Sequence, residues 1–377
     1  MRIGILATIV GEMGEKGFYQ QQEIGLGKSL AALGHDVTVY RCVQHNRAAR
    51  EEQADTRLRI CFLPVFALGI HGFFPRRRID TDLDGLIMFA DTQLAVPAAY
   101  RFCRRHGIVF LPYVGVVHSQ KTGVHARMMD WLYLHRNRPI YRKTQVFAKT
   151  DGVREELLSQ GVRDCSVHPV GIDLSVLKSD FRTVDRKGLR EKYGYGDEDR
   201  VICFVGRLEA QKRPLEMLAL FDELRKKKKS ALLLIGDGSL RSEVDREIAR
   251  RGLARLVRAE RKVPYGEMWE RYYISDYLVN LNTDEIFGMA VLEAVYYGLS
   301  TAARSSPGPD LILRDLPGHC LCRSDEEILE WIASDPPPSD DLKKSAELLK
   351  ERCSWRDCAE AFVERTEAIR KKSAIRN

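Results

Sequence analysis

Tyr277-Leu-Val-Asn-Leu281 is followed by Asn282-Thr-Asp-Glu-Ile-Phe-Gly288 and then by Met289-Ala-Val-Leu-Glu293. The first segment is a short apolar run typical of a buried strand, and a helix is expected over residues 290–297. A strand that leads directly into a helix is the repeating unit of a parallel, doubly wound sheet. This stretch therefore predicts an α/β fold.

The loop between this strand and helix has the composition of an anion site. A helix N-terminus presents free amides, and Gly288 lets the backbone approach a phosphate closely. Glu285 lies in the loop and Glu293 about one turn into the helix, where both suit hydrogen bonds to sugar or ribose hydroxyls. Alternatively, Glu293 is an ordinary helix-surface residue and Glu285 caps the helix. The spacing alone does not separate these interpretations.

Strands alternate with helices on both sides of this stretch. A charged segment, residues 179–199, is expected to be a loop that divides two series of elements. The expected strands are 2–10, 37–40, 85–89, 108–117, 201–205, 231–235, 277–281 and 300–303, and the expected helices include 19–33, 92–105, 213–228 and 290–297. Two α/β sheets in series are predicted, with ligands beyond the carboxyl ends of their strands.

Length and composition agree with two soluble domains. The chain has 377 residues, more than one hydrophobic core usually organises. Its 9 cysteines are scattered through apolar runs, which indicates free thiols in a reducing compartment. Cys320 and Cys322 form a close pair without further ligands nearby, so no metal site is expected. No apolar run approaches the roughly 20 residues that span a bilayer.

The net charge of +7 arises in the first half of the chain. This imbalance indicates a local anionic partner. Residues 66–74 are rich in aromatic and apolar side chains and lead into Arg76, Arg77 and Arg78. Such a mixture suits an anionic membrane surface. The alternative is a partly packed loop with solvated arginines.

Two more candidate sites follow expected strands. Gly206, Arg207 and Lys212 follow strand 201–205, where the two cations would neutralise a diphosphate and stabilise a leaving group. Solvated loop charges are the alternative. His118 follows strand 108–117 and is either a group that orients a hydroxyl or acts as acid or base, or a structural histidine.

Together these motifs resemble the retaining glycosyltransferases of the GT-B architecture, the family 4-like or group 1 glycosyltransferases. The resemblance covers nearly all of residues 200–370, and Ile286 stands where the family usually has glycine. It rests on Gly206-Arg-Leu208 with Lys212, Gly236-Asp-Gly238, Asp276, Glu285 and Glu293 with Phe287-Gly288, and Ser354-Trp355.

The resemblance implies two Rossmann-like domains that face a central cleft. Residues 1–175 would bind the acceptor and residues 176–350 the sugar nucleotide, while residues 351–377 would form a helix packed back on the first domain. The residues that carry over are Arg207 and Lys212 with Gly206 for the diphosphate, Glu293 for the ribose, Glu285 with the amides of Phe287, Gly288 and Met289 for the donor sugar, Val263 for the base, and His118 beside donor and acceptor. Gly11, Gly14 and Gly17 would form an acceptor or phosphate loop, although this loop also carries acids.

The implied activity is transfer of a hexose, with retention, from a nucleotide sugar to a hydroxyl of a glycan, glycolipid or small molecule. A UDP-sugar is favoured and a GDP-sugar is next, with neither cofactor nor metal, in glycoconjugate or polysaccharide synthesis. The expected location is the cytoplasm, with peripheral contact to the inner face of the membrane as a further hypothesis.

Two alternatives to this activity stay open: a sugar-nucleotide epimerase or hydrolase, and a non-catalytic nucleotide-sugar-binding partner. A dinucleotide oxidoreductase is disfavoured because neither first turn carries Gly-x-Gly-x-x-Gly. Nucleic-acid binding is disfavoured because the basic residues are not interleaved with exposed aromatic residues along a sheet.

Overall fold

The computed structural model describes residues 1–11, 14–15, 21–118 and 123–376, which form two compact units. Unit 1 comprises Met1–Ile172 and Ser354–Asn377, and unit 2 comprises Asp173–Cys353. The chain therefore leaves unit 1 once and returns to it for its last segment.

Unit 1 is built on an eight-stranded sheet in the order β10-β9-β8-β7-β1-β2-β4-β3. All neighbours are parallel except the edge strand β3, which runs antiparallel to β4. A separate hairpin, β5 with β6, follows β4. The strands are β1 (Arg2–Ala7), β2 (Asp36–Gln44), β3 (Arg50–Asp55), β4 (Leu58–Val65), β5 (Ala67–Leu68), β6 (His71–Gly72), β7 (Gly85–Phe89), β8 (Val109–Val114), β9 (Val146–Ala148) and β10 (Cys165–Val167).

Helices pack on this sheet and bury its apolar strands. They are α1 (Gln22–Ala32), α2 (Val96–His106), α3 (Val124–Leu132), α4 (Arg138–Tyr141) and α5 (Asp151–Ser159), with a π-helical turn at Tyr133–Asn137. The last helix, Trp355–Arg376, packs against α1. Its Phe362 stacks on Phe147 at 4.0 Å between ring centroids. The C-terminal segment is therefore part of the core of unit 1.

Unit 2 is built on a six-stranded parallel sheet in the order β13-β12-β11-β14-β15-β16. The strands are β11 (Arg200–Val205), β12 (Ser230–Ile235), β13 (Val257–Glu260), β14 (Tyr277–Asn280), β15 (Ser300–Arg304) and β16 (Cys320–Cys322). The helices are α6 (Arg186–Lys192), α7 (Pro214–Leu224), α8 (Arg241–Arg250), α9 (Met268–Ile274), α10 (Met289–Tyr296), α11 (Pro307–Leu313), α12 (Asp325–Ala333) and α13 (Ser339–Arg352), which makes Trp355–Arg376 helix α14. Both units are thus Rossmann-like, as predicted.

Most expected elements are present, with shifted ends. The strand expected over 2–10 ends at Ala7, and the one expected over 108–117 ends at Val114. Apolar side chains continue beyond both ends because they are also buried outside the sheet; Ile9, for example, pairs with His71 of β6 in an isolated bridge. The helix expected over 92–105 begins at Val96, where Pro97 fits the first turn. Of the helix expected over 19–33, residues 19 and 20 lie outside the described part.

Two strands were not predicted, and one expectation about a loop is wrong. Residues 50–65 form β3 and β4, which the alternation of strands and helices does not predict because β3 is an exposed, charged edge strand. Residues 179–199, expected to be a loop, contain α6. Arg190 of α6 is buried and bonds to Asp276 Oδ1 at 3.1 Å. The charged composition of this segment therefore reflects a buried ion pair rather than solvation alone.

Candidate active site

Glu285 is the centre of a polar cluster at the carboxyl end of β14. Its carboxylate forms an ion pair with Lys212 and accepts hydrogen bonds at Oε2 from Asn280 Nδ2 and Asn282 Nδ2, each at 3.2 Å. The contacts of Glu285 with Lys212 and with the two asparagines were not predicted from the sequence. The signal in the sequence was the alternation of Asn280 and Asn282 where a strand ends.

The loop that carries Glu285 is held by a neighbouring segment. Gly288 caps α10 with a φ of 85°, so a left-handed backbone rather than the Glu285 side chain starts this helix. The interpretation of Glu285 as a cap is therefore wrong. The amide of Gly308 donates to Glu285 O at 2.9 Å, and a Cβ at Gly308 would lie 2.1 Å from Phe287 O. This close approach fixes the buried Phe287.

The two loops that follow β11 and β12 pack backbone against backbone. Gly236 has a φ of 152°, and a Cβ there would lie 1.8 Å from Gly206 O. At Gly238 a Cβ would lie 2.5 Å from Leu208 O. Residues 236–238, which the sequence identifies as a turn, therefore also bring the segment around Arg207 into position.

Arg207 and Lys212 differ in their surroundings. The Arg207 side chain is exposed and makes no ion pair with any residue of the described ranges. Lys212 is half-buried and paired with Glu285, and its Cγ and Cδ lie 3.7 Å from the position of a Cβ on Gly206. Arg207 can thus bind an anion directly, whereas Lys212 must first break its ion pair with Glu285.

Glu293 lies inside unit 2 rather than on its surface. The residue is 3% exposed, so its interpretation as a helix-surface residue is wrong. Tyr272 Oη donates to Oε2 at 2.7 Å, and Tyr265 Oη donates to Oε1 at 3.1 Å. Burial, followed by the charge of Glu293, raises the pKa of Tyr265 far above its usual value. The two tyrosines are functional candidates that the spacing of the two glutamates did not indicate.

The loop after β13 carries the expected base contact. Val263 is half-buried and lies two residues before Tyr265. Arg261 Nη1 bonds to Asp237 Oδ2 at 3.3 Å, which ties this loop to the turn after β12. Met289, partly buried, begins α10.

Two expected site residues of unit 1, Gly11 and His118, follow strands β1 and β8. His118 is exposed, with Nδ1 3.5 Å from Glu156 Oε2. Gly11 has a φ of 84°, whereas at Gly14 a Cβ would lie 2.3 Å from Cys42 O, so the glycines meet different steric needs. Gly17 lies outside the described residues. The acid beside this loop, Glu15, pairs with Arg47 at 3.1 Å and Arg50 at 3.5 Å.

A buried charged group near the carboxyl ends of β8 and β9 was not expected. Lys149 Nζ donates to Gln22 Oε1 at 3.2 Å and lies 4.9 Å from the centroid of Phe89. Burial lowers the pKa of Lys149, although the charge of Asp91 opposes that effect. A lone lysine after a three-residue strand gives no sequence signal that distinguishes a buried ammonium from a solvated one.

The hairpin formed by β5 and β6 carries a strongly exposed apolar surface. Phe66, Leu68, Ile70 and Phe73, which we call the hairpin surface, are each between 50% and 67% exposed. Arg76, Arg77 and Arg78 follow, are exposed and make no ion pair with described residues. The alternative interpretation, a partly packed loop with solvated arginines, is therefore correct for the arginines but not for the apolar side chains, which are exposed.

In the described part of the chain, no group of three or more His, Cys, Asp or Glu side chains is arranged to hold a metal ion. The 9 cysteines are free thiols, and Cys320 Sγ and Cys322 Sγ lie 3.1 Å apart. Among the same residues, no helix combines the length and hydropathy of a membrane span.

The two Rossmann-like units define a GT-B protein. The sucrose-phosphate synthase of Thermosynechococcus elongatus has a similar fold and matches with a TM-score of 0.74 and 14% identity over 98% of each chain. Anabaena HepE in complex with UDP and glucose matches with a TM-score of 0.68 and 14% identity, over 98% of this chain and all of HepE. At these identities the likeness concerns the fold.

The sequence of unit 2 matches a family model. Residues 185–347 match the model of the glycosyl transferases group 1, which confirms the predicted resemblance over this part of the chain. The α-monoglucosyldiacylglycerol synthase of Acholeplasma laidlawii is 24% identical over 188 residues, which are 48% of this chain and 47% of the synthase. The chain thus aligns with about half the length of this relative.

Proposed function

We propose that the chain is a retaining glycosyltransferase that transfers a hexose from a nucleotide sugar to a hydroxyl acceptor. The observation that carries this proposal is the Lys212–Glu285 cluster at the carboxyl end of β14. It lies inside the segment that matches the group 1 family and beside the helix N-terminus at Gly288. A cation, a carboxylate and free amides at one sheet edge suit a sugar diphosphate.

The donor would bind across the loops of unit 2. Arg207, which is exposed and free of acidic partners among the described residues, would contact the diphosphate together with Lys212. Glu293 would accept hydrogen bonds from the ribose, and the backbone around Val263 would contact the base. A UDP-sugar is favoured, with a GDP-sugar next; the complex of Anabaena HepE with UDP and glucose supports the first choice by analogy.

The reaction breaks the bond between the anomeric carbon and the diphosphate oxygen, and the acceptor oxygen bonds to that carbon on the same face. Negative charge builds on the departing phosphate, where Arg207 and Lys212 would stabilise it. The leaving phosphate takes the proton of the acceptor hydroxyl, so atoms and charge balance. Glu285, with the amides of residues 287–289, would hold the sugar, and His118 would lie beside donor and acceptor. The proposed mechanism requires no cofactor or metal.

The acceptor would be a glycan, a glycolipid or a small molecule in glycoconjugate or polysaccharide synthesis. The hairpin surface with Arg76, Arg77 and Arg78 supports a lipid-linked acceptor, since exposed aromatic groups and unpaired arginines suit an anionic bilayer. The name of the Acholeplasma laidlawii relative, a glucosyldiacylglycerol synthase, agrees with that choice. The enzyme would then work in the cytoplasm at the inner face of the membrane.

The proposal is tested by supplying purified protein with UDP-, GDP- and ADP-sugars, with and without diacylglycerol and glycan acceptors. Stabilisation by one nucleotide sugar identifies the donor, because a tight ligand raises the melting temperature. A product with a new glycosidic bond of the donor's anomeric configuration supports retention. Rapid turnover of the donor without acceptor would favour an epimerase or hydrolase, and binding without any turnover would favour a non-catalytic partner.

A further inference from the structure

The buried carboxylate of Glu293 is hydrogen-bonded to a tyrosine whose side chain is partly exposed to solvent. The carboxylate accepts from Tyr272, which is fully buried, and from Tyr265, which is 38% exposed. Glu293 itself is only 3% exposed. A ribose that is to reach this carboxylate therefore needs a neighbouring side chain to move, and an exposed ring moves at lower cost than a buried one.

Tyr272 is unsuited to move. It lies in α9 and its ring stacks on that of Tyr297, with centroids 5.6 Å apart. Its hydroxyl bonds to Glu293 at 2.7 Å, the length of a strong hydrogen bond to a carboxylate. Rotation of this ring would leave a cavity in the interior of unit 2, so Tyr272 is the fixed support of Glu293.

Tyr265 has the opposite properties. It begins a single 3₁₀ turn, Tyr265–Glu267, after residues 261–264, which form no helix or strand. Its hydrogen bond to Glu293 is 3.1 Å, longer than that of Tyr272. Val263, the expected base contact, lies two residues earlier, and the Tyr265 hydroxyl contacts Glu293, so a nucleoside bound to both Val263 and Glu293 would lie near Tyr265.

We propose that the Tyr265 hydroxyl holds the place of a ribose hydroxyl on Glu293 and is displaced when the nucleotide binds. The inference rests on the proposed function, which assigns the ribose to Glu293. Tyr265 is then a positioning residue: it satisfies the Glu293 carboxylate until a hydroxyl replaces it, and it competes with the donor. A buried carboxylate without such a partner would carry a desolvation penalty that favours any ligand able to hydrogen-bond it.

The test measures the dissociation constant of UDP, or of GDP if the wild type prefers it, by calorimetry. Tyr265→Phe keeps the ring and removes the competing hydroxyl, so nucleotide affinity should rise about tenfold, the scale of one hydrogen bond to a charged group. Tyr273→Phe is the matched control, because that hydroxyl bonds to Val184 O and not to Glu293. Its nucleotide affinity should stay within about twofold of the wild type.

A second arm ties the effect to Glu293. Tyr265→Phe combined with Glu293→Gln should bind the nucleotide within about twofold of Glu293→Gln alone, since a neutral amide holds the tyrosine less strongly. A gain in affinity also separates this role from a structural one, because a loosened loop would bind more weakly.

Three results would decide against the inference. Weaker binding by Tyr265→Phe would mean that the hydroxyl itself supports the nucleotide, and unchanged binding would mean that it does not stand in the ribose position. If none of UDP, GDP and ADP binds the wild type, the proposed function fails and the inference with it. That outcome differs from the first two, in which the nucleotide binds.

Discussion

The ammonium group of Lys212 and the carboxylate of Glu285 form an ion pair between the loops that follow β11 and β14. Asn280 and Asn282 donate to the same carboxylate oxygen. Lys212, which is proposed to bind the diphosphate, and Glu285, which is proposed to bind the sugar, thus neutralise each other's charge. When a donor binds, its diphosphate must replace Glu285 as the partner of Lys212. Glu285 then remains hydrogen-bonded to the asparagines and can contact the sugar.

This pairing predicts that Glu285→Gln separates binding from transfer. Transfer should fall by about a hundredfold or more, because the donor sugar loses a charged contact near its reacting carbon. Affinity for the nucleoside diphosphate should be kept or rise, because Lys212 loses its counter-charge. Single-turnover rates and calorimetry measure the two quantities. Glu216→Gln, which removes an exposed partner of Arg213, serves as the control. Equal losses of binding and transfer would contradict the pairing.

Asp276 should be essential to the stability of unit 2. Its carboxylate bonds to Arg186 at 2.7 Å, to Arg190 at 3.1 Å and to the amide of Val201 at 2.8 Å. Because Arg190 is buried, Asp276→Asn leaves an uncompensated internal cation, at a cost of about 3–5 kcal/mol in the free energy of unfolding.

Denaturant unfolding of the full chain measures this loss, with hydrogen exchange to assign it to unit 2. The matched control is Asp197→Asn, which removes an exposed ion pair with Lys187 and should cost less than about 1 kcal/mol. Similar losses of unfolding free energy for the two variants would show that the buried ion pair stabilises unit 2 no more than an exposed one.

The stability of unit 2 should fall as the solution becomes acidic because of His319. Burial lowers the pKa of this histidine to about 3 from 6.5, and its Nδ1 accepts a hydrogen bond from the amide of Thr301 at 3.1 Å. Below pH 6.5 the unfolded chain binds the proton and the folded chain does not. The stability contribution is therefore complete above pH 6.5 and is lost progressively toward pH 3.

The expected loss from this residue is about 2 kcal/mol between pH 7.5 and pH 5. His319→Gln should remove that part of the pH dependence, whereas His45→Gln, which changes an exposed histidine, should keep the profile of the wild type. Unfolding curves at the two pH values give the comparison. Parallel profiles for His319→Gln and the wild type would exclude this histidine as the cause.

The hairpin surface predicts binding to anionic bilayers. Wild-type protein should bind vesicles rich in phosphatidylglycerol and should not bind vesicles made of phosphatidylcholine alone. Changing Arg76, Arg77 and Arg78 together to Ser should weaken binding by about a hundredfold, at about 1 kcal/mol for each arginine near the surface. Phe66→Ser with Phe73→Ser should weaken it further by removing the groups that enter the interface.

Co-sedimentation with vesicles measures both effects. The matched control changes Arg101, Arg104 and Arg105 of α2, which are also exposed, to Ser. That control alters the net charge equally but leaves the hairpin surface intact, so binding should fall far less. If both triple variants bind alike, general electrostatics rather than this surface governs the interaction.

The sequence determined the elements of the fold and the order of the motifs. Short apolar runs that end in glycine or charged residues predict parallel strands, and β7 matches its expected range from Gly85 to Phe89. Gly34, with a φ of 87°, follows the end of α1, a position where the left-handed backbone favours glycine. These features are local, so periodicity and backbone preference are sufficient to predict them. The match of residues 185–347 to one family follows from the same motifs.

Only the tertiary structure decided which charges meet. Glu285 and Glu293 look alike in the sequence, yet one pairs with Lys212, which lies 73 positions away, and the other is buried with two tyrosines. The composition of the segment that contains Arg190 predicts a solvated loop, whereas in the structure Arg190 is paired with Asp276. Ionic contacts between distant residues depend on how strands are ordered in a sheet and on the burial that results, and no local pattern encodes either.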